Sequence, residues 1–173
     1  MKKIVCLLMC LCLVFSFAAC GKDGKKEEKK EEKGETVDLE YYVRLGKIPE
    51  CDYVIGAAVD DIIEQEGAYA EPGEERYQVT YNNVYYYYQH DVRTVEYIVS
   101  FNGAYGFSIG TTNSQLKAEL AKGDMNAKEE PLSEEEPFFI PAPGNFTGIK
   151  YTYGDHTTCF VFNNGVLCAC TMY

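Results

Sequence analysis

"YQVTYNNVYYYYQHDVRTVEYIVSF", residues 77–101, decides the fold class of this chain. Three runs rich in β-branched and aromatic residues are separated by turn-type sequences, first Asn82-Asn83 and then the polar residues from Gln89 to Arg93. The pattern predicts an antiparallel meander. With Asn82-Asn83 as a two-residue turn, Tyr81 lies opposite Val84, Val79 opposite Tyr86 and Tyr77 opposite Tyr88. Those six share one face, because side chains along a strand alternate with a period of two. Gln78, Thr80, Tyr85 and Tyr87 then form the other, mixed face. In the third run Val95, Tyr97, Val99 and Phe101 alternate with Thr94, Glu96, Ile98 and Ser100. Joining the polar sets predicts an exposed sheet surface of Gln78, Thr80, Tyr85, Tyr87, Thr94, Glu96 and Ser100.

The same order of runs returns in "IKYTYGDHTTCFVFNNGVLCACTMY", residues 149–173. Its Asn164-Gly165 turn sets Phe162 opposite Leu167 and Phe160 opposite Ala169 as a core face. Val161, Cys159, Cys168 and Cys170 then point the other way. Each meander is preceded by an apolar-Gly step and a short helical pattern, "VIGAAVDDIIEQEG" and "SIGTTNSQLKAELAKG". In the first, Val59, Ile62 and Ile63 share a face, and Asp60 and Asp61 suit the positive end of the dipole. In the second, Thr112 and Gln115 make a capping box, with Leu116 and Leu120 on one face. Gly67 and Gly123 close the two helices.

The predicted fold is α+β: two tandem repeats, each a short helix on an antiparallel β-meander, joined into one continuous curved sheet. Residues 37–108 make the first repeat, with an N-terminal strand ahead of its helix, and residues 109–173 the second. An acidic, Pro-rich loop, residues 124–147, is inserted in the second. Its Phe138, Phe139 and Ile140 have two readings, folded back on the core or offered to a partner.

The start of the chain concerns location. Residues 1–19 have two lysines, an apolar run from Ile4 to Phe15 and small residues, the three parts of an export signal. "FAAC" ahead of Gly21 resembles a bacterial lipobox, which implies that Cys20 becomes a lipidated N-terminus holding the protein on the outer side of a membrane. Residues 20–36 continue as a charged tether without the apolar content to fold. From residue 37 on, eight basic residues face twenty-one acids, a formal charge of minus 13. Such a domain repels nucleic acid and anionic headgroups. The expected state is a monomer.

"IGTTNSQLKAEL" resembles the Gly-x-Thr-x-x-Gln-Val opening of the BamE or SmpA type of outer-membrane-assembly lipoprotein domain, through Gly110, Thr112, Gln115 and Leu116. The first repeat keeps Gly56 and Ile62 of that pattern. Two such modules in tandem look like the architecture of beta-lactamase inhibitor proteins. The resemblance implies one curved sheet and a binding role.

Catalytic motifs are missing from the sequence: there is no nucleophile elbow and no Gly-rich phosphate loop. His90 and His156 lie in separate strand turns, so no metal, cofactor or catalytic residue is assigned. Cys51, Cys159, Cys168 and Cys170 lie beyond the tether, and an exported location permits disulfides among them. Cys159 and Cys170 stand opposed on the second hairpin, and Cys51 is a further partner for either. The functional expectation is a non-enzymatic, surface-anchored lipoprotein. It would bind a protein or envelope component through Gln78, Thr80, Tyr85, Tyr87 and Glu96, with Phe138 and Phe139 as a second contact. The alternative is an envelope hydrolase or metal-dependent enzyme. Tyrosine suits a gripping surface, and it also suits strands in general; both readings stand.

Overall fold

The computed structural model describes residues 37–72, 77–123, 125, 128–132 and 143–173. Cys20, Phe138, Phe139 and Ile140 lie outside the described residues, as do the signal and the tether. The fold is α+β. Helices α1 (Leu39–Arg44), α2 (Val59–Glu66) and α3 (Asn113–Lys122) accompany strands β1 (Tyr69–Pro72), β2 (Tyr77–Tyr81), β3 (Val84–Tyr88), β4 (Val95–Ser100), β5 (Glu129–Pro131), β6 (Phe146–Tyr153), β7 (His156–Asn163) and β8 (Val166–Met172). All eight strands join one antiparallel sheet in the order β1-β2-β3-β4-β8-β7-β6-β5. Strands β1–β4 follow α2 and β5–β8 follow α3, and the two sets meet through their last members.

The turns form as the asparagines dictate. Asn82 and Asn83 both take the left-handed conformation, φ 50° and 57°, and so do Asn164 and Gly165. Two left-handed residues in succession match the twist of a hairpin. The first hairpin therefore has the expected register, Tyr77 with Tyr88, Val79 with Tyr86 and Tyr81 with Val84. The capping box of α3 is present, with Thr112 accepting from the Gln115 amide and Gln115 from the Thr112 amide. Gly67 ends α2 in the left-handed region.

Four expectations are corrected. The N-terminal strand is instead helix α1: the Asp38 carboxylate accepts from the Tyr41 amide at 3.0 Å, and Leu39 and Val43, one turn apart, are buried. A strong cap outweighs the strand preference of the two tyrosines.

In β3 and β4 the register shifts between Tyr87 and Tyr88, so that Tyr85 faces Val99, Tyr86 faces Ile98, Tyr87 faces Tyr97 and Tyr88 faces Val95. Glu96 is the extra residue of a bulge. Ile98 and Ser100 consequently turn to the core and are buried, while Tyr97, Val99 and Phe101 join Tyr85 and Tyr87. The exposed position expected for Ser100 is wrong.

A second shift, between Val161 and Phe162, keeps Phe162 opposite Leu167 but pairs Phe160 with Cys170, Val161 with Ala169 and Cys159 with Thr171. Cys170 faces the core and Cys159 the opposite side, so the two are not opposed. All four described cysteines carry free thiols.

The inserted loop is shorter than expected. Glu129–Pro131 pair with β6 as an edge strand, and Phe146 and Thr147 already belong to β6.

The helices supply Leu39, Val43, Val59, Ile62, Leu116 and Leu120 to a core on one face of the sheet, against Val79, Tyr86, Ile98, Phe160 and Phe162 among others. Each fully buried side chain of this size contributes about 1.5–3 kcal/mol of transfer free energy. The two edges of the sheet are short. β1 has four residues and ends at Pro72, and β5 has three and ends at Pro131.

Candidate interaction face of the sheet

The side of the sheet away from the helix-borne core carries a second apolar cluster, to which no helix residue belongs. Val99, Cys159, Val161 and Ala169 form its buried floor. Tyr85, Tyr87, Phe101, Leu132, Phe146, Cys168 and Tyr173 pack around them, partly exposed. The rings contact one another edge-on or tilted: Tyr85 with Phe101 at 5.2 Å, Tyr85 with Tyr87 at 6.3 Å, and Tyr97 with Tyr173 at 6.0 Å. Such geometry fixes ring orientation and limits rotamer freedom. Tyr69, across β2 from this group in the same row as Thr80 and Tyr85, extends the face to the sheet edge with 76% of its surface exposed.

Two bulges assemble this face. Without the extra Glu96, Tyr97 and Val99 would turn inward; without the extra Cys168, Ala169 would leave the floor. Gly148 completes it, since a Cβ there would approach both the Cys159 Sγ and the Leu132 side chain to 2.7 Å. Only glycine lets Leu132 lie over the sheet at that point.

Of the residues assigned from sequence, Gln78, Thr80, Tyr85 and Tyr87 do stand together on this side, all half-buried. Glu96 sits at the bulge, half-buried. Phe138 and Phe139 are outside the described residues. Tyr97, Phe101, Phe146 and Tyr173 are members that sequence reasoning missed. A signal was present for the first two: the aliphatic core residues Val95 and Ile98 are three apart, a spacing no regular strand accommodates on one face. Gln78, Tyr87, Tyr97, Phe146, Lys150, Cys159 and Tyr173 each make further side-chain interactions.

Lys150, the cross-strand partner of the floor residue Cys159, brings a positive charge to this side, and other charged groups stand at the edges of the sheet. Glu129, at the β5 edge, accepts from Lys117 Nζ at 2.6 Å, from Thr147 Oγ1 at 2.5 Å and from Asn113 Nδ2 at 3.1 Å. These donors, the Lys117 ammonium first, hold its carboxyl down at about 2. On the helix side, Tyr53 donates to Glu66 at 2.9 Å, and burial together with that carboxylate pushes the phenol up to about 12. Asp60 and Arg93 pair between α2 and the β3–β4 turn.

The histidines do not form a centre. His90 is exposed beside Asp91 and the Tyr77 ring, whereas His156 is half-buried against Gly46. Among the described residues no three His, Cys, Asp or Glu side chains stand close enough to hold a metal ion. A hollow of about 440 Å³ on the helix side is lined by Val37, Asp38, Leu39, Glu40, Gly123, Met125 and Tyr151. It presents no nucleophile, and Asp38 is committed to capping α1. No described helix is long and apolar enough to cross a membrane.

Comparison with family models, with characterised proteins and with solved structures gives no match.

Proposed function

We propose that this chain is an exported lipoprotein, anchored through Cys20, that holds a protein partner on the aromatic side of its sheet. The observation that carries the reading is the rigid aromatic group of Tyr85, Tyr87, Tyr97, Phe101 and Tyr173, laid over a buried apolar floor. Aromatic rings with restricted rotamers lose little entropy on binding, and they are the residue type that dominates interface energetics. The acidic balance of the domain favours a basic partner, which it would draw in over long range.

The finer architecture belongs to this proposal. Helix α2 with β1–β4 and helix α3 with β5–β8 are read as two tandem modules of the BamE type, joined at β4 and β8 as in beta-lactamase inhibitor proteins. The matching order of elements supports it, as do Gly110, Thr112, Gln115 and Leu116.

Two measurements test the anchor and the face separately. Metabolic labelling with a palmitate analogue marks the wild-type chain and leaves Cys20→Ser unlabelled; label on that variant refutes the anchor. A photo-crosslinking amino acid at Tyr69 or Tyr85 joins one discrete partner, whereas the same group at Tyr41, exposed on α1, does not. Crosslinks from Tyr41 alone overturn the assignment of the face.

A further inference from the structure

We propose that Cys51 and Cys170 are a disulfide pair, which closes across the core when the chain folds in the presence of a disulfide oxidant. The placement of the two residues carries this. Both belong to the same buried cluster, with 2% and 0% of their surface exposed. Cys170 is the cross-strand partner of Ser100, on the core face, and its other neighbour in the row is Phe160.

Cys51 comes to that row from the connection between α1 and α2, which is clamped over it. The Glu50 carboxylate accepts from the amides of Tyr105 and Gly106 at 2.9 and 2.8 Å, and the Tyr105 hydroxyl donates to the Lys47 carbonyl at 3.2 Å. The Tyr105 ring in turn packs on Phe160 at 5.6 Å. Residues 47–51 are thereby held against the Tyr105 turn, whose ring packs on Phe160, the row neighbour of Cys170. Ser100 lies beside Cys51 and is the cross-strand partner of Cys170, whose Sγ also meets the Thr158 Oγ1 at 3.5 Å.

The other two thiols do not compete. Cys159 faces the opposite side of the sheet, and Cys168 is the extra residue of the β7–β8 bulge, half-buried and donating to the Val161 carbonyl at 3.3 Å. Neither packs in the helix-side core.

The chemistry balances with oxidised glutathione or a thiol-disulfide oxidoreductase as acceptor. One cysteine thiolate attacks the acceptor disulfide and expels a thiolate; the second attacks the mixed disulfide and expels the other. Two electrons pass to the acceptor, and two protons leave the cysteines. Burial raises both thiols, Cys51 to about 12, and at Cys170 the neighbouring Cys159 and Cys51 add to the rise. Exchange in the closed core is therefore slow, and the bond forms while the core is still assembling.

Supply of an oxidant in the cell rests on the export reading, but the pairing does not, and the experiment separates them. The full chain is unfolded and reduced, refolded in a glutathione redox buffer, blocked with an alkylating agent and mapped by mass spectrometry without reduction. A Cys51–Cys170 crosslinked peptide in most molecules is the expected result. Both residues alkylated, or a link from either to Cys159 or Cys168, overturns the pairing. Cys51→Ala and Cys170→Ala should each abolish the crosslink and, in oxidising buffer, give the same lowered melting temperature as wild type under reductant. Melting temperatures of wild type that do not differ between the two buffers also overturn it. The same map of protein taken from its native membrane then reports on location: a crosslink formed in buffer but missing there counts against export, not against the pair.

Discussion

Replacing Glu129 by Gln should destabilise the protein at neutral pH and leave it unaffected in acid. The wild-type carboxylate is held at about 2 against an ordinary value of 4.5, mainly by Lys117 and then by Thr147 and Asn113. A shift of that size corresponds to roughly 3 kcal/mol if fully expressed. The side chain keeps 18% of its surface in water and its lysine partner 39%, so screening reduces the expected contribution to about 2 kcal/mol. Because the folded value is the lower one, the stabilisation is complete above pH 4.5 and is lost as the pH falls from there towards 2. Urea unfolding of wild type and variant at several pH values measures it. The difference in unfolding free energy should be about 2 kcal/mol at pH 7 and shrink steadily below pH 4.5. Comparing the two proteins removes the titration of the other acids, which they share. A gap of the same size at pH 7 and pH 3 would refute the reasoning, because it would show that shape and not charge makes Glu129 important. Glu130→Gln, at an exposed pair with Lys128, serves as the control and should show a far smaller pH-dependent gap.

Three further substitutions probe the core, the other face and the clamp. Tyr86→Ala removes a fully buried ring packed edge-on against Tyr53 and should cost about 3–5 kcal/mol in urea unfolding, whereas Tyr87→Ala, half-buried on the other face, should cost much less; equal losses would mean that both faces are sealed alike. Glu50→Ala frees the amides of a turn in which Tyr105 is held at φ 54°, and should cost about 1 kcal/mol and speed hydrogen exchange at Tyr105 and Gly106; unchanged exchange there would show the turn to be stable without its carboxylate.

What could be read from sequence was what neighbouring residues decide among themselves. Asn82-Asn83 and Asn164-Gly165 specify hairpins by their tolerance of left-handed backbone, and Thr112 with Gln115 specifies a helix start; each signal lies within four residues. The bulges at Glu96 and Cys168 are decided between strands. Alternation was carried one residue too far in each case, which reversed a whole face of β4 and put Cys170 on the side away from the core, where the bulge in fact turns it inward. The edge strands were illegible for another reason: "YAEP" and "EEP" are too short to show any period. The candidate face was legible in composition, through its tyrosines, but half of its membership followed from a bulge.

The two short edges limit what the protein can become when many copies are gathered in a small space. An eight-stranded sheet with bare margins would offer each passing copy a template on which to add strands without end. Here a newcomer at β1 meets three residues and then Pro72, and at β5 two residues and then Pro131, where the ring leaves no N–H to continue a ladder. Growth by strand addition is interrupted almost as soon as it begins, on the left margin and the right. The molecule can therefore be kept at high density, and its sheet can be used through its broad side without spreading from its rim.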